Sequence, residues 1–295
     1  MLYNVTVNTG DDFMLKDIKV FVADVDMTLV NDKKKLLPIT KKAMELLREQ
    51  GVYLGIASGR PIEGHLVRRS ENWGFDRQFD FIIGMNGGQL HDYTDDTFVE
   101  SYKLSRECVK EIIEIMEPLD LNPFVYEKGY MLAKRLDQQT IESSIRNDEP
   151  VQVVNDISEM WEKERNKIMF RAKTLEQMEQ MVRFAKQHPS NEYQFFQTGP
   201  LLLEFQDPRI NKSTAVEIFC KKHGITADEV IAFGDSSNDN EMMERAGLGV
   251  CLLNGKADSK AIADCITEYD SNHDGVGRFL EKHWFKRKII EREED

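Results

Sequence analysis

The chain has 295 residues, 41% hydrophobic and 31% charged, which is typical of a soluble globular protein with one large domain or two moderate ones. Its formal net charge of -13 argues against a general nucleic-acid-binding protein, because there is no excess of lysine and arginine to replace phosphate counterions. The first residues contain neither a basic segment nor a long apolar stretch, so we expect no signal peptide and no membrane span. Four widely spaced cysteines favour free thiols and a cytoplasmic location.

Strands and helices are predicted to alternate through the first part of the chain. An apolar run over residues 18–23 predicts a strand, residues 38–50 have the periodicity of a helix, and residues 52–57 and 81–83 predict two further strands. Ser58 begins a turn that we expect to lead into a second helix. This alternation predicts an α/β fold with a doubly wound parallel sheet, in which sites lie beyond the carboxyl ends of the strands.

The pattern changes after residue 87 and returns after residue 206. Strand pairs joined by tight turns predict an antiparallel sheet with helices on one face. The predicted elements are strands at 97–102, 124–127, 130–133, 167–171, 193–197 and 201–205, and helices at 106–116 and 174–187. We therefore predict an inserted α+β cap domain over residues 88–206, between core segments 1–87 and 207–295. The second core segment is expected to contain a helix near 213–222, a strand at 230–233 and a helix that begins near Asn240.

Two carboxylates follow the first predicted strand. Asp24 and Asp26 stand one residue apart where a buried strand ends, and such a pair is costly because the ionised groups repel each other and lose water. A bound cation, or a role in proton and phosphoryl transfer, would compensate for that cost. The alternative is a solvated loop with two chance acids, which is common in a chain with 52 acidic residues.

Three other segments carry similar signals. Ser58 follows the second strand, Lys212 lies near the start of a predicted helix, and residues 234–239 bring further carboxylates to the end of another strand. Taken singly, each has an ordinary explanation: a helix N-cap, a solvated lysine and an acidic turn. Their coincidence at the ends of neighbouring strands favours one shared site.

These segments resemble, in order and spacing, the four motifs of the haloacid dehalogenase-like phosphatases. The motifs here are Asp24-Val25-Asp26-Met27-Thr28, Ser58-Gly59-Arg60, Lys212 and Gly234-Asp235-Ser236-Ser237-Asn238-Asp239. The sequence around Ser58, the Asn86-Gly87 pair after the third strand and the late insertion are similar to the Cof-type branch. The resemblance implies a Mg²⁺-dependent phosphatase of a sugar phosphate or another small phosphorylated metabolite.

The resemblance also assigns roles by position. It implies that Asp24 is the nucleophile and Asp26 the general acid and base. The implied metal ligands are Asp24, Asp26 through its backbone carbonyl, Asp235 and Asp239. The implied phosphate or substrate contacts are Ser58, Gly59, Arg60, Asn86, Gly87, Lys212 and Asn238. The oligomeric state is not predicted.

Two features depart from the family pattern. Met27 stands where glycine is usual, and it would be strained if the turn requires a positive φ. Residues 1–17 exceed the usual lead-in and predict either an extra strand or a disordered extension.

The alternatives to a phosphatase are a phosphotransferase or phosphomutase that uses the same intermediate, and a non-catalytic phosphometabolite-binding protein. The latter would be marked by loss of Asp24 or Asp26, and both are present.

Overall fold

A computed structural model describes residues 15–291 of the chain. The strands in this part of the chain are β1 (Val20–Asp24), β2 (Tyr53–Ala57), β3 (Phe81–Gly84), β4 (Gln89–Asp92), β5 (Thr97–Glu100), β6 (Pro123–Glu127), β7 (Tyr130–Ala133), β8 (Val151–Val153), β9 (Lys167–Arg171), β10 (Gln194–Gly199), β11 (Leu202–Gln206), β12 (Val230–Gly234), β13 (Leu248–Cys251) and β14 (Cys265–Ile266). The α-helices are α1 (Pro38–Glu49), α2 (Arg69–Asn72), α3 (Arg106–Met116), α4 (Gln138–Asn147), α5 (Leu175–Lys186), α6 (Lys212–His223), α7 (Asn240–Arg245), α8 (Ala257–Ile262) and α9 (Gly275–Leu280). Within residues 15–291 no helix combines the length and the hydropathy needed to cross a membrane.

The first sheet has the strand order β14-β13-β12-β1-β2-β3-β4-β5. Strands β14 to β3 in that order are parallel, and β4 and β5 continue the sheet in antiparallel pairing. Phe21 of β1 packs into a core that includes α1 and α9, whereas Val20 and Val22 pack with residues of α6. Because helices cover both faces, every residue of β1 is buried. The predicted α/β class with a doubly wound sheet is confirmed.

The second sheet belongs to the insertion and has the order β10-β11-β9-β6-β7-β8. Its pairs are antiparallel except β7 with β8. Ile112 of α3 and Met178 of α5 share a buried apolar cluster with Phe170 of β9, so these two helices cover one face of the sheet. An α+β cap inserted into an α/β core is therefore observed, as the sequence predicted.

The start of the insertion differs from the prediction. Strands β4 and β5 lie within the predicted cap segment, yet they pair with β3 and extend the first sheet. A tight turn after β3, with Asn86 at φ 57° and Gly87 at φ 108°, reverses the chain and returns it along the same sheet edge. The boundary predicted at residue 88 is therefore too early, and we place the start of the cap after β5.

The helix predicted after Ser58 forms only in part. Pro61 and Gly64 interrupt the segment, and only α2 forms a regular helical turn. Gly64 has φ 77°, and a Cβ there would lie 2.7 Å from the carbonyl oxygen of Asn147 in the cap. The irregular segment thus lies directly against the cap at Gly64. The prediction for residues 1–17 lies outside the described residues, except for a helical turn at Leu15–Asp17.

Candidate active site

The predicted motifs meet at one edge of the first sheet. β1 lies between β2 and β12 in parallel register, so the carboxyl ends of these three strands are adjacent. Asp24 ends β1, Ser58 follows β2, and Asp235 follows β12. Carboxylate oxygens of Asp24, Asp235 and Asp239 lie within 4.8 Å of one another. The topology thus brings together residues that are separated by more than two hundred positions in the sequence.

Lys212 connects two of these carboxylates. Its Nζ donates hydrogen bonds to Asp24 Oδ1 at 2.5 Å and to Asp239 Oδ1 at 2.6 Å, and its side chain is fully buried. Burial opposes the charged form, but the two carboxylates outweigh it and raise the pKa of Lys212. The lysine lies in the first turn of α6, where the Asn211 side chain caps the helix. It is therefore a fixed positive charge beside Asp24.

The acidic cluster carries more negative charge than one lysine offsets. Burial, together with the charges of Asp239 and Asp235, raises the pKa of Asp24 well above its ordinary value despite Lys212. Burial and Asp239 likewise raise the pKa of Asp235 to about 6. Both shifts have the direction expected for buried carboxylates whose deprotonated forms lack compensating charge. A divalent cation with oxygen ligands would supply it, so the donor set fits Mg²⁺.

Asp239 and Thr28 fix the geometry of the cluster. Asp239 Oδ2 accepts hydrogen bonds from the backbone N–H groups of Asp235 at 3.1 Å and Ser236 at 3.0 Å. Both of its oxygens are thus engaged, one by the loop and the other by Lys212. Thr28 Oγ1 donates to Asp235 Oδ1 at 2.8 Å. Asp239 therefore holds Lys212 and the loop in place, and Asp24 and Asp235 are the better candidates for direct metal ligands.

The Asp26 side chain lies apart from the cluster. Its Oδ1 accepts a hydrogen bond from Lys34 Nζ at 2.8 Å, and its Oδ2 accepts from Arg60 Nε at 3.1 Å and Nη2 at 2.9 Å. Burial raises the pKa of Asp26, but the charges and hydrogen bonds of Arg60 and Lys34 outweigh it and lower the pKa below its ordinary value. Lys34 was missed because nothing distinguishes it within the run Lys33-Lys34-Lys35. Metal binding through the Asp26 carbonyl stays a prediction.

Met27 adopts the backbone conformation that the family pattern suggests. Its φ is 67°, in the left-handed region where residues with a Cβ are strained by about 1 kcal/mol. Asn254 Nδ2 donates to the Met27 carbonyl at 2.8 Å and stabilises the turn from the other end of the chain. The turn with positive φ, which favours glycine, therefore also forms with methionine. Asp24 and Asp26 remain next to this turn.

The remaining predicted residues form the wall of the site. Ser58 is buried, and its Oγ accepts a hydrogen bond from the N–H of Arg60 at 3.2 Å. A Cβ at Gly87 would overlap the carbonyl of Asn211, so glycine allows the loop after β3 to approach the start of α6. Asn238 Nδ2 donates to Asn86 Oδ1 at 3.3 Å. Their contacts with substrate stay predictions.

The cap covers this edge of the sheet through polar contacts that the sequence did not indicate. Arg60 Nη1 donates to the carbonyl of Arg146 at 2.8 Å, at the end of α4. Lys167 Nζ donates to the carbonyl of Gly59 at 2.7 Å and to Glu204 Oε2 at 2.8 Å. Arg60 thus contacts both Asp26 and the cap. The cap is closed over Asp26.

Four polar cap residues, Tyr126, Tyr130, Lys134 and Arg135, lie in different surroundings. Tyr126 lies next to the contact between cap and core, since its hydroxyl bonds to Asn147 and its ring lies under Lys167 Nζ, which bonds to the Gly59 carbonyl. Tyr130 packs against the apolar core of the cap. Lys134 lines a separate hollow beneath α3, and Arg135 pairs with Asp120. Of the four, only Tyr126 is placed near the site.

Glu149 is an unusual residue at the contact between cap and core. Its side chain is buried, and neither carboxylate oxygen has a hydrogen-bond partner in the described part of the chain. A Cβ at Gly64 would lie 3.1 Å from Glu149 Cγ, so the residue packs directly on the core segment. Burial and the charge of Glu63 raise the pKa of Glu149 to about 8, although Lys167 opposes the shift.

Replacing Glu149 by glutamine is expected to remove a pH dependence of stability. The folded protein holds the Glu149 proton up to about pH 8, whereas an unfolded glutamate ionises near its model value of 4.5, so the wild type loses stability as the pH rises between these values. Glutamine cannot ionise, so the variant should match the wild type at low pH. At pH 8 it should melt at least about 3 °C higher, the shift expected for roughly 1 kcal/mol after solvent screening.

Thermal unfolding at several pH values would measure this effect. Glu142→Gln, on the exposed surface of α4, is the matched control and should leave the pH dependence unchanged. Equal pH profiles for the wild type and Glu149→Gln would show that Glu149 titrates normally and would contradict the prediction.

The fold and the site define a class: an α/β enzyme with an acidic site at the carboxyl edge of its parallel sheet and a cap over that edge. The chain matches the haloacid dehalogenase-like hydrolase family over residues 21–280 and belongs to that family. The resemblance inferred from the motifs is thereby confirmed.

Several proteins of known name are similar over nearly the whole chain. Two 5-amino-6-(5-phospho-D-ribitylamino)uracil phosphatases of Bacillus subtilis are 26% and 27% identical, covering 88% and 91% of this chain and 96% of each relative. A solved haloacid dehalogenase-like hydrolase of Bacteroides thetaiotaomicron is 26% identical, with a TM-score of 0.79 and coverage of 90% of this chain and 99% of that one. Family membership and these relatives make the chain a phosphatase, as predicted.

Proposed function

We propose that the protein hydrolyses the phosphomonoester of a small metabolite with the help of Mg²⁺, and that Asp24 is phosphorylated during the reaction. The observation that carries this proposal is the Asp24 carboxylate, 2.5 Å from Lys212 Nζ and clustered with Asp235 and Asp239. An anionic nucleophile can approach an anionic phosphoryl group only where positive charge offsets their repulsion. Lys212 supplies one such charge from within the chain.

The metal would be held by Asp24 and Asp235, with the Asp26 carbonyl completing the contribution of the protein. When bound, Mg²⁺ supplies positive charge that offsets the negative charges of the carboxylates and the phosphoryl group. Asp239 would help to hold Lys212 beside Asp24, because it also accepts a hydrogen bond from the lysine Nζ. Ser58 and Lys212 would bind the phosphate oxygens.

The reaction would proceed in two displacements. A carboxylate oxygen of Asp24 attacks phosphorus, a bond from that oxygen to phosphorus forms, and the bond to the leaving oxygen breaks. Asp26 gives its proton to the departing alkoxide and then takes a proton from the water that attacks the aspartyl-phosphate. Inorganic phosphate leaves, and both aspartates return to their starting states.

The ion pairs of Asp26 affect its proposed role as general acid and base. Arg60 and Lys34 lower the pKa of Asp26 in the structure, which favours the deprotonated form. A phosphate dianion beside Asp26 would raise that pKa and would compete for the same two cations. We therefore expect Asp26 to gain its proton only with substrate in place.

The substrate is proposed to be a small phosphorylated metabolite in the cytoplasm, for example a sugar phosphate. The two Bacillus relatives are named for a phosphorylated ribitylamino-uracil, which is a small metabolite of this kind. Hydrolysis is favoured over phosphometabolite binding alone because Asp24 and Asp26 are both intact at the site. Transfer to a sugar acceptor remains the second candidate and is distinguished by its product.

Phosphate release from para-nitrophenyl phosphate tests the proposal. We expect steady turnover with Mg²⁺ and almost none with EDTA, recovered when Mg²⁺ is returned in excess. Unchanged turnover in EDTA would contradict the role of the metal. When a sugar is added as acceptor, free phosphate and nitrophenol should still be released in equal amounts. Formation of a phosphorylated sugar at the expense of free phosphate would indicate a phosphotransferase instead.

A further inference from the structure

The loop that follows β1 holds Met27 by a hydrogen bond on each side. The N–H of Met27 donates to the Val30 carbonyl at 3.0 Å, and the Met27 carbonyl accepts from Asn254 Nδ2 at 2.8 Å. Met27 has φ 67°, a conformation that residues with a Cβ adopt only at a cost in free energy. Each bond fixes one of the two peptide groups that flank Met27, so together they hold the residue in this conformation.

The two peptide groups carry parts of the candidate active site. In a planar trans peptide the carbonyl points away from the N–H, so the bond from Met27 to Val30 sets the direction of the Asp26 carbonyl. That carbonyl is the group proposed above to complete the metal site. The second peptide group leads into Thr28, whose Oγ1 donates to Asp235 Oδ1 at 2.8 Å. A change in the φ of Met27 would therefore turn the Asp26 carbonyl relative to Thr28 and Asp235.

Asn254 is itself held by a second bond. Its Oδ1 accepts from the N–H of Ser271 at 2.9 Å, while its Nδ2 donates to Met27. An amide side chain has its acceptor on one arm and its donor on the other, so these two contacts fix its orientation. Asn254 thereby links the segment after β14 to the loop after β1. Asn272 links the same two segments at another point, because its Oδ1 accepts from the N–H of Asp32 at 3.2 Å.

A methionine at position 27 makes the bond from Asn254 more important than it would be with glycine. Glycine adopts a positive φ without steric cost, so the turn would keep its conformation with fewer contacts. Methionine is relieved of that cost when φ becomes negative, unless a contact opposes the change. The bond from Asn254 is such a contact.

We propose that Asn254 is a positioning residue for the metal site: it holds Met27 in the left-handed conformation and thereby fixes the direction of the Asp26 carbonyl. The proposal rests on the proposed function, because that function includes the metal. Asn254 acts through Met27 and contacts neither the metal nor the substrate.

A double-mutant cycle between Asn254→Ala and Met27→Gly tests this role. The dissociation constant for Mg²⁺ is obtained for each protein from the rise in melting temperature with Mg²⁺ concentration, without relying on activity. In the wild-type background Asn254→Ala is expected to weaken Mg²⁺ binding about fivefold, because the left-handed turn becomes a minority conformation. In the Met27→Gly background the same change should weaken binding less than about twofold. The bond to Ser271 is lost in both backgrounds, so its effect cancels.

Two further variants serve as control and as second test. Asn272→Ala is the matched control, since it removes a bond between the same segments that does not involve Met27, and it should act equally in both backgrounds. Asn254→Asp keeps an oxygen for the Ser271 N–H and lacks the donor to Met27. It should depend on the background as Asn254→Ala does, and it replaces the alanine variant if that protein does not fold.

The outcomes separate this proposal from the proposed function. If Mg²⁺ did not stabilise the wild type, the metal site would be overturned, and the role of Asn254 with it. With Mg²⁺ binding intact, equal losses in the two backgrounds, or no loss in either, would overturn the role of Asn254 alone and leave the proposed function standing.

Discussion

Asp24→Asn is expected to abolish phosphate release, with a loss of roughly 10⁴-fold or more in turnover, the scale seen when a catalytic nucleophile is removed. Asparagine has nearly the same shape, but its neutral amide does not attack phosphorus. Lys212 would keep its bond to Asp239, and a buried carboxylate with a raised pKa would be gone. The variant should therefore remain folded, and the loss should be chemical. Phosphate release and thermal unfolding, measured on the same preparation, check both statements.

Asp26→Asn is the informative comparison for this first prediction. Para-nitrophenolate departs without needing a proton, so the first displacement should continue while hydrolysis of the aspartyl-phosphate slows. Intact-protein mass spectrometry should then find one added phosphoryl group on Asp26→Asn and none on Asp24→Asn. Full turnover by Asp24→Asn would mean a contaminating phosphatase or a different nucleophile.

The position of the site could be predicted because its signals are local. Asp24 and Asp235 each follow a short apolar strand, and parallel pairing brings the ends of such strands to one edge of a sheet. The residue types at those ends indicate the chemistry before any contact is known. For the same reason the strands around them were placed correctly, since continuous apolar runs mark strands buried on both faces.

The residues that were missed act through contacts distant in sequence. Asn254 bonds to the Met27 carbonyl across more than two hundred positions, and no feature of its own segment indicates this. Glu149 is unusual only because folding buries it against Gly64. Helix α4, which carries the contact with Arg60, escaped prediction because its isoleucines, Ile141 and Ile145, face solvent and make no buried stripe.

Lys212 illustrates both what the sequence could predict about the site and what it could not. By position alone it resembles a solvated lysine at a helix start, where the helix dipole does not favour a cation. Only its place among the other motifs indicated a role at the site. The structure buries it completely and pairs it with Asp24 and Asp239, so the lysine is part of the fold as well as of the candidate site. That double role leads to a measurable expectation.

Lys212→Met is expected to lower the free energy of unfolding by about 3–5 kcal/mol in EDTA, because it leaves the clustered carboxylates buried without their cation. Mg²⁺ should restore part of that loss, since an ion bound by Asp24 and Asp235 would offset the same charges. Urea unfolding with Mg²⁺ and with EDTA measures both effects without relying on activity. Lys221→Met, on the exposed side of the same helix, is the control and should change stability little. If Lys212→Met were as stable as the wild type in EDTA, the cluster would not carry the charge that the proposed metal site requires.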